Sequence, residues 1–496
     1  LPAATFGETE NEVIANLNRL ATQMVSPFDA PKDGPDDEES GIPALYTYFG
    51  QFIDHDLTFD PNSSFEKLND LSARVDFRTP AFDLDNIYGR GPGDQPYMYN
   101  DADVPSFLLG DPLTMGSHGA RDLQRNGAGR ALIGDPRNDE NAIVSQLQGL
   151  MLRFHNKMVS DHPSASFEKI QALVRHHYQY VVVNDFLPRI VNKSVLDELR
   201  TNGKFDQAKL KFFKGFPEFA GVTTPYMPIE FSVAAYRLGH SMVRPGYRLN
   251  DTVLVPIFPV PDKGFPEGLT GFRRMISDWG IDWSRFIDIE THDYGVNPPD
   301  PGAPRLTVDK ELTNMRRLQF AYRLDTALVD PLGSLPLSVA NKPPPSLAAR
   351  NLLRGWQFGL PSGQAVARAM GVAPLADSAI LIGQGIDDPG APLPDIVAAA
   401  GVIFAGNCPL WTYILAEAMH HRAAPDPTIP VIPAGKTVST PQLGPVGGRI
   451  VAEVFLGLMF ADNSAYLKTN PDWTPKSGAG YRLKDLVADA LSFIPA

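Results

Sequence analysis

The chain has 496 residues, 43% of them hydrophobic and 20% charged, and a formal net charge of −13. That length supports a large buried core, and the acidic balance argues against nucleic acid or an anionic membrane surface as the main partner. The longest apolar run, residues 396–405, is too short to span a bilayer. The single cysteine, Cys408, excludes an internal disulfide and reads as a small buried hydrophobe.

In chain order, residues 1–39 are polar and acidic and read as an N-terminal arm. From residue 40 to 496 no clear linker appears, so one large, mainly α-helical domain with long loops and little β is expected. A helix is expected over 44–55, followed by a turn-rich region to about 139. Helical spacing then runs over 140–159, with Ile143, Leu147, Leu150, Phe154 and Met158 as the core stripe, and again over 167–190. A shorter helix is expected over 231–243, stopped by Pro245 and Gly246. Residues 250–345 read as short helices and loops with a small hairpin. Further helices are expected at 346–355, 363–370, 393–405, 410–422 and 446–460. Asn62, Asn192 and Asn250 fit a glycosylation pattern that is common by chance.

Residues 49–57 place Gln51, Asp54, His55 and Asp56 among Phe49, Phe52, Ile53 and Leu57. Polar groups buried at that density need partners, so the segment marks a site. Of the ten histidines, most have ordinary explanations. His118, His162, His292, His420 and His421 fall in loops or at helix ends, and the adjacent His176 and His177 diverge on a helix. His155 reads as a satisfied packing residue. His240 follows Gly239, which lets something bulky approach the backbone. Arg237 lies three residues earlier, suited to pair with an acid group of a ligand. These residues alone do not favour a haem ligand over a core histidine.

Residues 49–57 resemble the distal-histidine motif of the animal-type haem peroxidases, the family of myeloperoxidase, lactoperoxidase and the cyclooxygenases. Further segments match in the family's order: residues 79–89 resemble its calcium loop, 134–140 its catalytic-arginine segment, 152–156 its next helix and 236–240 its proximal-histidine helix. Asn351 resembles the asparagine behind the proximal ligand, and residues 359–361 also match. The resemblance covers about residues 40–460 and, as an ordered set, is specific.

The resemblance implies haem b bound through His240, with Asn351 on the other ring nitrogen fixing the tautomer. It implies His55 as general base and then acid toward hydrogen peroxide, Arg137 as stabiliser of the departing charge, and Gln51 holding water or a halide. Asp54 and Glu140 fall where mammalian members form haem esters, with plain hydrogen-bonded carboxylates as the alternative reading. Asn141 replaces the methionine of a third link, which is therefore not expected. Calcium, which takes about 6–8 oxygen ligands, is expected at Thr79, the Ala81 carbonyl, Asp83, Asp85 and Asp56. Ala81 and Asp85 depart from the family's bulkier and serine-like residues.

The implied function is a haem peroxidase oxidising a small organic donor or a halide at the expense of peroxide, through a high-valent iron–oxo species. A fatty-acid dioxygenase is the second reading. That branch carries a tyrosine three residues before the proximal histidine, where this chain has Arg237, with Tyr236 one position off. The third is a silent matrix or adhesion scaffold, disfavoured because His55, Arg137 and His240 are all retained. A distant, bacterial-type member is expected. Calcium and peroxide chemistry favour an exported protein; the absence of disulfides is equally compatible with the cytosol.

Overall fold

The computed structural model describes residues 1–495 apart from 35, 59–79, 214–217, 220–221, 224–225, 291–314, 338, 341, 386–391 and 425–439. The expected mainly helical architecture is observed, and among the described residues the strands form only two-stranded pieces. None of the described helices is long and apolar enough to cross a membrane.

Helix α2 (Leu45–Leu57) is the central element. Ten of its side chains are buried; Gly50, Gln51 and Asp54 are the helix positions that are not. Its start is fixed by strand β1 (Glu39–Pro43), which pairs antiparallel with the strand Phe320–Tyr322. A short helix α3 (Asp85–Tyr88) lies against α2, and helix α4 (Ala142–Asp161), capped by the Asn141 side chain, packs along it. Helix α5 (Phe167–Val181) packs on α4 and passes through a π-helical turn, Val182–Phe186, into Leu187–Ile190. This is the helical run expected over 167–190. His155 on α4 is fully buried; its Nδ1 lies 3.0 Å from the Tyr88 hydroxyl and its Nε2 3.2 Å from the Pro105 carbonyl. It is the satisfied packing residue that its helical setting suggests.

Three expectations need correction. Residues 1–39 are not a loose arm. They contain helix α1 (Glu10–Gln23), with a Thr9–Glu12 capping box and a buried stripe of Val13, Leu17, Leu20 and Ala21. It packs on the helix Leu347–Gln357 and on Ile396–Ala400. The acidic residues around it hid a 3.6-residue period. Residues 231–243 are not one regular helix either: a π turn, Glu230–Ala234, runs into a 3-10 helix, Ala235–His240. The helix expected over 393–405 ends at Ala400, because Gly401 adopts φ 109°, and resumes as one 3-10 turn. A hairpin is present as Gly246–Arg248 against Leu254–Pro256, its first strand lying before the expected region 250–345. Asn250 is buried beside it with its amide donating to the Asp278 and Gly280 carbonyls, which removes it as a glycosylation site.

Leu20 has no exposed surface. Leu20→Ala is expected to cost about 2–5 kcal/mol of unfolding free energy, measured by denaturant titration. A loose arm would show no change.

Candidate functional site

The distal side is assembled from α2 and the 3-10 turn Pro136–Asp139 before α4. Gln51 and Asp54 lie one turn apart on the face of α2 that is not enclosed. His55 is 5% exposed, and its Nδ1 lies 2.7 Å from Asn138 Oδ1. Its Nε2 is 3.8 Å from Glu140 Oε1, beyond hydrogen-bond reach. Glu140 accepts a short hydrogen bond from Gln51, whose own oxygen accepts from Asn141 Nδ2 at 3.1 Å. Burial and the positive charge of Arg137 push the His55 pKa down to about 4. Burial pushes the Glu140 pKa up to about 7, against the pull of Arg137.

The Arg137 guanidinium donates to Asp135 at 2.8 Å, to the His55 carbonyl at 3.2 Å and to the Thr58 carbonyl. It therefore holds the C-terminal end of α2 while placing positive charge beside the imidazole. The turn carrying Arg137 is itself clamped. Arg125 reaches Asp122 at 2.8 and 2.9 Å and Asp139 at 2.7 and 2.8 Å, in an almost fully enclosed network.

The proximal side is the 3-10 helix Ala235–His240. With three residues per turn, Arg237 stands directly over His240; its Nε donates to the Ser232 carbonyl at 3.0 Å, and Trp411 Nε1 donates to the Arg237 carbonyl at 3.2 Å. Asn351 Nδ2 lies 2.8 Å from His240 Nδ1. As placed, this amide donates to Nδ1 and leaves the ring hydrogen on Nε2; the iron-ligating form, with Nε2 bare, needs the amide turned over so that its oxygen accepts from Nδ1–H. Burial, and then Arg237, depress the His240 pKa to about 3. A side chain added at Gly239 would meet nothing within 4 Å, so open space adjoins His240. The neutral imidazole, its amide partner, the neighbouring guanidinium and the open space form a donor set that fits a haem.

Distal and proximal segments are tied together directly. The Tyr236 hydroxyl donates to the Gly50 carbonyl at 3.2 Å, and Thr47 Oγ1 donates to the Met242 carbonyl at 3.4 Å. Beyond them, buried Glu39 accepts from Arg244 at 2.6 Å and from Arg317 at 2.9 Å. His55, Arg137, Gln51 and Glu140 thus meet on one side, and His240, Arg237 and Asn351 on the other.

The expected calcium residues are placed less uniformly. Asp56 is fully buried beside the Tyr178 hydroxyl, and both Asp56 and Asp83 raise the Tyr178 pKa, after burial itself. Asp83 Oδ1 accepts from the Asp85 backbone at 3.1 Å. Asp85 lies 3.9 Å from an Arg175 nitrogen, and Arg175 also donates to the Asp83 carbonyl. Ala81 is half-buried, and Thr79 lies outside the described residues, as do Asn62 and His292. Among the described residues, the acidic side chains that converge within 4.8 Å are Asp29, Asp36 and Glu38, with Lys32 against two of them. Asn138, Gln148, Trp411, Arg125 and Arg175 carry much of this site without having been singled out in the sequence. Asn138 lies inside the matched arginine segment and was the one with a signal.

Residues 75–259 match the family model of the animal haem peroxidases. The dual oxidase of Drosophila melanogaster is 26% identical over 238 residues, covering 46% of this chain and 13% of that protein. The curated relatives are thus matched over a small part of their own length. Peroxidase A of Dictyostelium discoideum superposes with a TM-score of 0.53 at 14% identity, covering 96% of this chain and 89% of that structure. The fatty acid alpha-dioxygenase of Oryza sativa, in a complex with palmitic acid, gives 0.50 at 14% identity, covering 96% and 75%. Both structural likenesses are likenesses of fold. The family match thus rests on residues 75–259, less than half of the chain.

Removing the clamp on the Arg137 turn leaves two enclosed carboxylates without their cation. Arg125→Met is expected to destabilise the fold by about 3–5 kcal/mol, measured by urea denaturation. A loss below roughly 1 kcal/mol, the scale of an exposed pair, would show that the network is not what holds the turn.

Proposed function

We propose that this chain is a haem peroxidase that uses hydrogen peroxide to oxidise a small organic donor or a halide. The observation that carries this reading is the pair of imidazoles, each with an amide against Nδ1, on two segments hydrogen-bonded to each other. His240 would hold the iron with Asn351 as its partner, Arg237 would face an acidic group at the haem edge, and Asp54 and Glu140 would be the carboxylates available for ester links. Haem, when bound, supplies the redox centre that takes the oxidising equivalents of peroxide and passes them to the donor.

The remaining work falls to the chain. His55 Nε2 takes the proton from the peroxide hydroxyl and returns it to the departing oxygen. A base depressed to a pKa of about 4 holds that proton weakly and gives it up readily. Arg137 lowers the cost of negative charge on the departing hydroxide. Gln51, hydrogen-bonded to Glu140 and Asn141, presents a fixed amide where a small donor or halide would sit. Asp56 and Asp83, with Thr79 and the Ala81 carbonyl, are the proposed calcium ligands, tying the loop before α3 to α2. Asp85, drawn toward Arg175, contributes charge more than direct ligation. The dioxygenase reading is supported less: Arg237 occupies the position three before His240, and the Tyr236 hydroxyl is committed to the Gly50 carbonyl. Export of the protein remains part of the proposal.

Mixing the haem-loaded protein with peroxide in a stopped-flow spectrometer tests the assignment of His55. His55→Leu is expected to slow the peroxide step by about 10²–10⁴-fold while haem content is kept. Because the His55 pKa lies below its ordinary value, the unprotonated ring persists above about pH 4 and is lost below it. The wild-type rate should accordingly be level from neutrality down to roughly pH 5 and fall as pH drops through about 4. A wild-type rate in the His55→Leu variant would remove His55 from the chemistry.

A further inference from the structure

Which nitrogen of His55 carries the proton is decided by groups behind it. Asn138 Oδ1 lies 2.7 Å from His55 Nδ1, Asn138 Nδ2 donates to Gln148 Oε1 at 2.7 Å, and Gln148 Nε2 donates to the Asn86 carbonyl at 3.2 Å. Asn138, Gln148 and Asn86 have no exposed surface. The far end of this chain is fixed: Asn86 donates its own amide to the Phe52 carbonyl on α2 at 3.1 Å, and the Asp135 backbone donates to the Asn86 carbonyl at 3.2 Å.

A backbone carbonyl only accepts. Gln148 must therefore turn its nitrogen to Asn86 and its oxygen to Asn138. Asn138 must then turn its nitrogen to Gln148 and its oxygen to His55. That oxygen accepts, so His55 carries hydrogen on Nδ1 and none on Nε2, the nitrogen on the side of Glu140. Reversing either amide sets donor against donor or acceptor against acceptor away from water. Each group left unsatisfied in this way is costly to the fold.

We propose that Asn138 and Gln148 are positioning residues that lock His55 in the Nδ1-protonated tautomer, with the Asn86 carbonyl as the fixed end of the relay. The tautomer is a property of the chain alone; its use in taking a proton from peroxide rests on the peroxidase reading above. Neither residue touches the reacting atoms. Gln148 stands on α4, nine residues after the turn Pro136–Asp139 that carries Arg137, and acts on His55 only through Asn138.

The test uses ¹⁵N-histidine-labelled protein free of haem, with the His55 signals assigned by their loss in His55→Gln. The wild type should show a protonated Nδ1 and a bare Nε2 at His55. Asn138→Leu and Gln148→Met should each give a mixture of tautomers. In the haem-loaded protein, Asn138→Leu should slow the peroxide step by about 10–100-fold, with the later oxidation of the donor unchanged. Should Asn138→Leu fail to fold, Gln148→Met, which leaves the Asn138–His55 contact in place, decides the matter by the same spectrum. A protonated Nε2 in the wild type, or an unchanged tautomer in the variants, overturns the proposal. A wild type with the expected tautomer that does not react with peroxide leaves the relay standing and overturns the peroxidase reading.

Discussion

An imidazole held in the interior, buried like His55 or half-buried like His240, must account for both of its nitrogens, and this constraint organises the molecule. Each of the two central histidines has one nitrogen assigned to an amide, Asn138 for His55 and Asn351 for His240. Each amide sits on a different element from its histidine: the turn before α4 in one case, the helix Leu347–Gln357 in the other. The tautomers are thus tertiary properties. They exist only when α2, α4, the proximal 3-10 helix and the helix carrying Asn351 are all in register. The ties at Gly50–Tyr236, Thr47–Met242 and Glu39–Arg244 hold that register across the two histidine-bearing segments.

Charge is arranged around this frame so that the imidazoles stay neutral. Arg137 and Arg237 each stand beside one histidine, adding to burial in lowering its pKa. Each guanidinium is also held by backbone carbonyls, so the charge is fixed in place. Glu140 is displaced in the opposite sense, up to about 7, mainly by burial. Environments that push neighbouring acid and base groups apart are the pattern expected of proton-transfer sites.

The parts of this arrangement that were legible in the sequence are those where rare residue types meet apolar surroundings. His55 in a run of Phe, Ile and Leu, and His240 after a glycine, stand out because their neighbours should be buried. The amides that govern them do not stand out. Asn138, Gln148 and Asn86 are ordinary polar residues in sequence, and only the fold shows that water is excluded from all three. Helix α1 was hidden for the opposite reason: Glu10, Glu12 and Arg19 dominate a segment whose apolar stripe is only four residues. The proximal segment was read as a regular helix because a π turn followed by a 3-10 turn leaves no periodic mark. Arg175 lies ninety residues after Asp85, so nothing local linked it to the acidic loop it reaches.

The fold is shared with peroxidase and dioxygenase structures alike, and fold by itself does not choose between chemistries. The choice rests on what the two histidine faces do with a haem. The most direct measurement is a haem titration of the purified protein, followed by absorption and electron paramagnetic resonance of the ferric state, beside His240→Ala. The account predicts one haem per chain, a high-spin spectrum from a single axial histidine, and loss of that spectrum in His240→Ala. A low-spin spectrum from two histidines, a spectrum indifferent to His240, or no stoichiometric binding would contradict it.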